Sequence, residues 1–397
     1  MFRLLVIAPT CDGEDVGEAW LAFQWVKRLA NQHHVTLLTY HKRDRTLASQ
    51  QLKGVRVIEW GEPPLLGKAE RFNSMLNPGY IPFFFRARRW LKTALRAGET
   101  FDICHQITPV AIRYPSPAVG LPLPLVMGPV GGSLQSPEGF KTTETSAPWF
   151  VRLRSLDKFR LKHDPLLRST YTSAACVLGI ASYVQDHLDG IPVKRFEIMS
   201  ETGIEALPHL VPRAPNRELK LLYVGRLVRT KGARDAIQAM AQLSDLNATL
   251  DIVGDGPDRG ECERLTSEFQ LGDRVVFHGA IPRHQVDDYY RRADVFVFPS
   301  YREPGGNVIF EAMSYQLPLV VVDRGGPSSM VDAHCAELLQ AVNPEALARD
   351  VAGAIRKLAG DPGIRLKMGE AARERVWQIA NWDSKVERMN EIYASIV

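Results

Sequence analysis

Leu221-Leu-Tyr-Val-Gly-Arg-Leu-Val-Arg-Thr-Lys-Gly232 is an apolar run that ends on glycine and opens into a basic loop. A stretch that is apolar on both faces reads as a strand buried on both sides of a parallel sheet. Its glycine-ended turn into the next segment reads as the first half of a βαβ unit. The same unit recurs outward from here. Downstream, strands are expected at Thr249–Val253, Val275–His278, Val295–Pro299 and Leu319–Val322, beside Lys220–Val224 itself. Three helices are expected at about 343–359, 361–379 and 383–395. Upstream, Leu4–Ala8, Val35–Thr39, Val55–Glu59, Phe101–His105, Leu123–Met127 and Cys176–Ile180 read as strands, with a helix over Val16–Ala30. Such alternation predicts an α/β protein of two doubly wound, Rossmann-like domains facing each other across a cleft.

Length agrees with two domains, because 397 residues exceed one ordinary core. The expected division is 1–200, 201–380, and a terminal segment 381–397 that packs back on the first domain. Leu207–Asn216, with three prolines in ten residues, is the expected hinge. Composition, at 45% hydrophobic and 24% charged, excludes a disordered or fibrous chain. A net charge of +4 is too mild for a dedicated nucleic-acid binder. Five scattered cysteines without a C-x-x-C pair fit a reducing, cytoplasmic setting rather than disulfides or zinc. Tyr114–Pro137 carries no charge, but six prolines exclude a spanning helix there.

The chemistry concentrates at the ends of two second-domain strands. Arg226 and Lys231 stand on the loop after Leu221–Val224, where two cations and a helix start suit a polyphosphate. Two solvated surface cations are the plainer alternative. Phe298-Pro-Ser-Tyr-Arg-Glu-Pro-Gly-Gly-Asn-Val-Ile-Phe-Glu-Ala-Met313 brings Glu303, a Gly305-Gly306 pair and Glu311 to the next loop and helix. Glycines allow backbone amides to approach a ligand, and two carboxylates beside a phosphate site suit sugar hydroxyls. A helix-favoured Glu303 and an exposed Glu311 would explain the same letters without a ligand. Gly254-Asp-Gly256-Pro-Asp-Arg-Gly260 lacks the spacing of a dinucleotide fingerprint.

Taken in order, Gly225-Arg226-Leu227, Lys231-Gly232 and Glu303-x7-Glu311-Ala312-Met313 resemble the retaining, GT-B-fold glycosyltransferases of the family-four type, glycosyl transferases group 1. Thr202-Gly203-Ile204-Glu205, Ile252–Pro257, Phe277-His-Gly279, Ala293–Ser300 and Asn381-Trp382 agree with the resemblance. The resemblance implies a nucleoside-diphosphate-sugar donor, a glycan, lipid-linked or small-molecule hydroxyl acceptor, retention of anomeric configuration, and no cofactor or metal. It gives Arg226 and Lys231 the diphosphate, Glu303 the transferred sugar and Glu311 the ribose. It gives Gly306, Asn307 and Val308 backbone contacts, and Gly279 and Ile281 the base. In this reading the departing phosphate oxygen takes the acceptor's proton. A nucleotide-sugar epimerase of related fold and a non-catalytic sugar-nucleotide-binding partner in polysaccharide assembly are the alternatives.

In the first domain the resemblance turns His105 toward the donor sugar; a structural histidine capping the next helix is the competing reading. Gly131, Gly132 and Ser133 would line the acceptor side, or form only a tight turn. Gly17 would offer the diphosphate its backbone, although Gly13 and Gly17 stand apart rather than paired. Asp15 reads as a helix cap rather than a cation ligand. Residues 78–96 combine aromatics with clustered cations, which suits either peripheral contact with an anionic bilayer or a core-facing helix with a basic outer face.

Overall fold

The computed structural model describes residues 1–42, 45–63, 79–143, 156–210 and 218–397. The first sheet contains β1 (Arg3–Thr10), β2 (His34–His41), β3 (Arg56–Gly61), β4 (Ile103–Gln106), β5 (Leu125–Val130), β6 (Cys176–Gly179) and β7 (Phe196–Ile198). Its order is β3-β2-β1-β4-β5-β6-β7. The second contains β8 (Leu219–Val224), β9 (Ala248–Val253), β10 (Val275–Gly279), β11 (Val295–Phe298), β12 (Leu319–Val322) and β13 (Ala336–Leu339), in the order β10-β9-β8-β11-β12-β13. Neighbouring strands within each sheet run parallel. The fold is therefore α/β, with two doubly wound sheets.

Each sheet reverses its winding once, between β1 and β4 in the first and between β8 and β11 in the second. Loops leaving the carboxyl ends of such a strand pair diverge to opposite faces, so a crevice opens between them. In the second sheet those loops are the Arg226–Lys231 and Glu303–Gly306 stretches.

The strands are apolar because helices cover both faces. Leu4 to Ala8 and Val295 to Phe298 are essentially sealed from solvent. Two separate cores result, one for each sheet. The helix Trp382–Ala394 places Trp382, Val386, Met389, Ile392 and Tyr393 in the first core. Asn381 starts that helix by accepting hydrogen bonds from the N–H groups of Asp383 and Ser384. Phe140 goes the other way, from within the first 200 residues into the second core, where its ring lies 4.0 Å from that of Tyr301.

The chain passes between the cores upstream of its proline-rich stretch. Met199 belongs to the first core, and Ile204 and Leu207 pack on the second. Ile204 also bridges to Asn381, so the outgoing and returning crossings lie side by side. The hinge expected at Leu207–Asn216 therefore begins beyond this crossing, and residues 211–216 of it lie outside the described residues. Strands β7 and β13 were not expected from sequence; both are short edge strands with half-exposed residues.

Candidate active site

Glycine decides how closely the β8 and β11 loops approach. Gly232 has φ +79°, and a Cβ there would lie 2.2 Å from the carbonyl oxygen of Pro299. Only glycine permits that contact. It sets Lys231 against Glu303, and the Lys231 ammonium donates to Glu303 Oε2. Arg229, on the same loop, is committed elsewhere. It makes two hydrogen bonds to the buried Asp235, at 2.5 and 3.0 Å, and its guanidinium lies against Phe140 and Tyr301. Arg226 is exposed and makes no ion pair among the described residues. Three cations on one loop thus have three fates: Arg229 braces the fold, Lys231 meets a carboxylate, and Arg226 faces solvent.

The β11 loop carries the carboxylates. Glu303 is 8% exposed, and its carbonyl accepts the Gly326 N–H at 2.8 Å. A Cβ on Gly326 would fall 1.6 Å from the carbonyl oxygen of Gly305, so a second glycine pair, Gly325-Gly326, braces the first from behind. Gly306, at φ +119°, starts the helix Asn307–Ser314 without a side-chain cap. The opening N–H groups around Asn307 and Val308 therefore remain free of a capping side chain, which favours an anion there. The Asn307 side chain points back to the interdomain crossing, where Thr202 Oγ1 donates to Oδ1 at 2.5 Å.

Glu311 does not lie with Glu303. Its Oε1 accepts from Arg283 at 2.5 Å and its Oε2 from Tyr290 at 2.9 Å. Burial raises the Glu311 carboxyl above its ordinary value, with Arg283 and Tyr290 opposing. Arg283 opens the helix that follows β10, so Glu311 borders the turn containing Gly279 and Ile281. That turn is fixed by a hydrogen bond from the Gly254 N–H to the Gly279 carbonyl at 2.8 Å, and Gly279 adopts φ +70°. Ile281 is half-buried against the second core. The two carboxylates therefore mark two ends of the second-domain crevice: Glu311 beside the β10 turn, Glu303 beside Lys231.

First-domain expectations need correction. His105 does not face the cleft. It is fully buried, with Nδ1 2.5 Å from Tyr393 Oη and Nε2 2.6 Å from the Gly128 carbonyl oxygen. Both ring nitrogens are engaged inside the core, and burial pulls its pKa down to about 4. It is a structural histidine, bridging β5 and the terminal helix rather than capping a helix. Ser133 also turns inward: Oγ donates to Asp157 at 2.6 Å, and Asp157 pairs with Arg113 at 3.1 Å. Gly132 N–H donates to Tyr183 Oη at 3.0 Å, and Gly131 N–H to the Val110 carbonyl at 2.6 Å. The Gly131–Ser133 turn spends these polar atoms on its own domain rather than on a ligand. Asp15 is not the helix cap, a position Gly17 occupies; its carboxylate binds the Val16 N–H and Lys42.

Gly17 itself has φ +66° and open space where a side chain would stand. The helix Glu18–Leu29 follows directly. Four residues escaped the sequence reading. Tyr290 and Arg283 orient Glu311, Gly326 shapes the β11 loop, and Glu201 brings its carboxylate to Gly305, 3.1 Å from where a Cβ would stand. Gly325-Gly326-Pro327 was the one legible signal among them, a glycine pair ahead of a proline-started helix.

Residues 211–375 match the family model described as glycosyl transferases group 1. The chain is 37% identical over 191 residues to a putative teichuronic acid biosynthesis glycosyltransferase, TuaC, of Bacillus subtilis, covering 45% of this chain and 46% of that protein. It spans about half the length of the curated relatives it matches. Over the whole chain the fold is similar to that of sucrose-phosphate synthase from Thermosynechococcus elongatus, with TM-score 0.66 at 22% identity, covering 100% of this chain and 99% of that one. It is also similar to HepE of Anabaena, solved in complex with UDP and glucose, with TM-score 0.64 at 16% identity and full coverage of both. The fold is GT-B, and the segment that is similar to the glycosyl transferases group 1, residues 211–375, carries Arg226, Lys231, Glu303 and Glu311.

Proposed function

We propose that this protein moves a sugar from a nucleoside diphosphate to a hydroxyl group of a glycan, glycolipid or small-molecule acceptor, with retention at the anomeric carbon and without a metal. The observation that carries this reading is the order of groups along the second-domain crevice. The Gly279–Arg283 turn and Glu311 stand at one end, the start of the helix Asn307–Ser314 in the middle, and Lys231 with Glu303 at the other. A nucleoside-diphosphate sugar has the same order: base and ribose, diphosphate, sugar.

Breaking the sugar–phosphate bond puts positive character on the ring and negative charge on the leaving diphosphate. Lys231, Arg226 and the uncapped amides near Gly306 would hold that charge, at about 3 kcal/mol for each well-placed donor. Two cations and a helix start supply the charge that a divalent ion otherwise would. Glu303 would hold the sugar hydroxyls and Glu311 the ribose, and Gly17 would meet the diphosphate from the facing domain. The complexes of HepE with UDP, and with UDP-glucose, support a nucleotide-sugar donor.

A thermal-shift panel of UDP, GDP and ADP with their sugars tests the reading. At least one nucleotide should raise the melting temperature, as a ligand that binds only the native state must. Transfer should survive a chelator, and no response to any nucleotide would overturn the proposal.

A membrane contact on the cytoplasmic side belongs to the same proposal. The helix Tyr80–Arg96 buries Phe83, Phe84, Ala87 and Leu91 in the first core. Outward it presents Arg89, Lys92 and Arg96, with Ile81 64% and Phe85 66% exposed. Cations beside exposed apolar side chains suit an anionic bilayer. Sedimentation with anionic liposomes should fall when Arg89, Lys92 and Arg96 are changed to Glu; equal sedimentation would remove the membrane from the proposal.

A further inference from the structure

Beyond β5 the first domain sends a short stretch across to the second, and its contacts converge on the back of the crevice. Leu134 lies against Gly325, with Cδ2 2.6 Å from where a Cβ would stand, and Gly325 itself backs onto the Glu303 carbonyl. Arg324 donates to the Gln135 carbonyl at 2.7 Å, and Arg302 to Ser136 Oγ at 3.2 Å. A Cβ on Gly139 would fall 2.1 Å from the Val342 carbonyl oxygen, so glycine lets the two backbones touch there. That approach delivers Phe140, within the short helix Glu138–Thr143.

Phe140 is sealed from solvent and packs on both loops that carry the proposed donor groups. Its ring centroid lies 4.0 Å from that of Tyr301, on the β11 loop, and 5.6 Å from the Arg229 guanidinium carbon, on the β8 loop. Arg229 stands two positions before Lys231, and Tyr301 two positions before Glu303. The loops are tied to each other by Ser300 Oγ, which donates to the Thr230 carbonyl at 3.0 Å. The ring therefore packs on the residue that flanks this tie in each loop. Removing a buried ring leaves a cavity that its neighbours fill only in part, and groups seated on such a cavity lose their fixed separation.

We propose that Phe140 is a positioning residue of the donor site, supplied by the first domain: packed on Arg229 and Tyr301 together, it holds the β8 and β11 loops where Lys231 meets Glu303. The proposal rests on the transferase reading and makes the grip on the diphosphate a property of both domains. At the other end of the crevice, Glu311 takes its hydrogen bonds from Arg283 and Tyr290. The base and ribose should therefore be indifferent to the ring.

The test reads the two ends of the crevice separately. Full-length wild type, F140A and F140L are titrated calorimetrically with UMP, UDP, GMP, GDP, AMP and ADP. A monophosphate reads the base and ribose end, and the second phosphate adds the Lys231 end. The wild type should bind at least one diphosphate at least about tenfold tighter than its monophosphate, the worth of one charge-assisted hydrogen bond. In F140A that advantage should shrink to about twofold or less, with monophosphate affinity within about twofold of wild type. F140L keeps an apolar side chain in the slot but gives up the face that meets Arg229. Its diphosphate advantage should fall about threefold with monophosphate binding unchanged, which decides the matter if F140A does not fold. A full diphosphate advantage in both variants would overturn the role of Phe140. Equal losses for monophosphate and diphosphate would overturn it as well, because the ring would then be ordinary core. A wild type that binds none of these nucleotides, or favours no diphosphate, would overturn the transferase reading itself.

Discussion

The two switch points share one winding but treat their polar residues in opposite ways. At the β8/β11 end, Arg226 is exposed, Lys231 and Glu303 pair at the crevice, and the helix start is uncapped. At the β1/β4 end, His105 is locked between Tyr393 and Gly128, and Ser133 between Asp157 and His187. Of the residues named at that end, Gly17 keeps open space beside its backbone. The terminal helix explains much of the difference. It packs on the first sheet and supplies Tyr393, whereas on the β8 loop of the second sheet Arg229 is covered by Phe140 and Tyr301 but Arg226 stays exposed. A polar residue at a strand end is thus open chemistry only where no later segment of the chain closes over it.

The largest test of that contrast is Lys231→Ala. If the β8 loop supplies the charge for the leaving diphosphate, turnover should fall by at least about a hundredfold, measured as nucleoside diphosphate release. Glu303→Gln should give a comparable loss while leaving the melting transition intact. Near-normal rates in either variant would make the Lys231–Glu303 pair a brace like Arg229–Asp235, and the contrast between the two ends would disappear.

His105→Ala probes the opposite end. It removes a buried ring and both of its hydrogen bonds, so a loss of about 2–4 kcal/mol in unfolding free energy is expected. Turnover per folded molecule should stay within about twofold. The pH dependence has a definite sign. The unfolded chain protonates this histidine near its ordinary value of 6.5, and the folded one near 4. Its contribution to stability is therefore complete above 6.5 and declines as pH falls from 6.5 toward 4. Chemical denaturation across that window should show the decline in wild type and its absence in the variant. A selective loss of turnover in His105→Ala would return the residue to the active site.

Reading the sequence alone separates these two ends only partly, for a physical reason. Fully buried strands such as β1 and β11 announce themselves as unbroken apolar runs. Phe196–Ile198 and Ala336–Leu339 do not, because an edge strand of three or four half-exposed residues has no such signature. Charged residues after Gly225 and Phe298 were legible as a candidate site because cations and carboxylates rarely cluster at buried strand ends without a purpose. Their partners were not legible. Nothing local distinguishes Arg229, bound to Asp235, from Arg226 three residues earlier. The partner of His105 is 288 positions away. Glu201 was equally silent, since its environment is assembled from the first helix, the β11 loop and the terminal helix.

The smallest expected effect also tests the ordering of the crevice. Tyr290→Phe deletes one hydroxyl, the donor to Glu311 Oε2 at 2.9 Å. Arg283 would still hold Oε1, but its side chain is 72% exposed, so water competes for it. Glu311 should then be less firmly oriented and still harder to ionise, because the lost hydrogen bond favoured the carboxylate. If Glu311 holds the ribose, its contacts are the same before and during transfer. Donor affinity should weaken by about fivefold, close to 1 kcal/mol, because Glu311 loses one of the two groups that orient it, with kcat nearly unchanged. Calorimetric titration of the donor beside a rate measurement separates the two quantities. A fall in kcat with affinity intact would mean that Glu311 works at the reacting carbon. The order of base, diphosphate and sugar along the β8/β11 crevice would then have to be reversed.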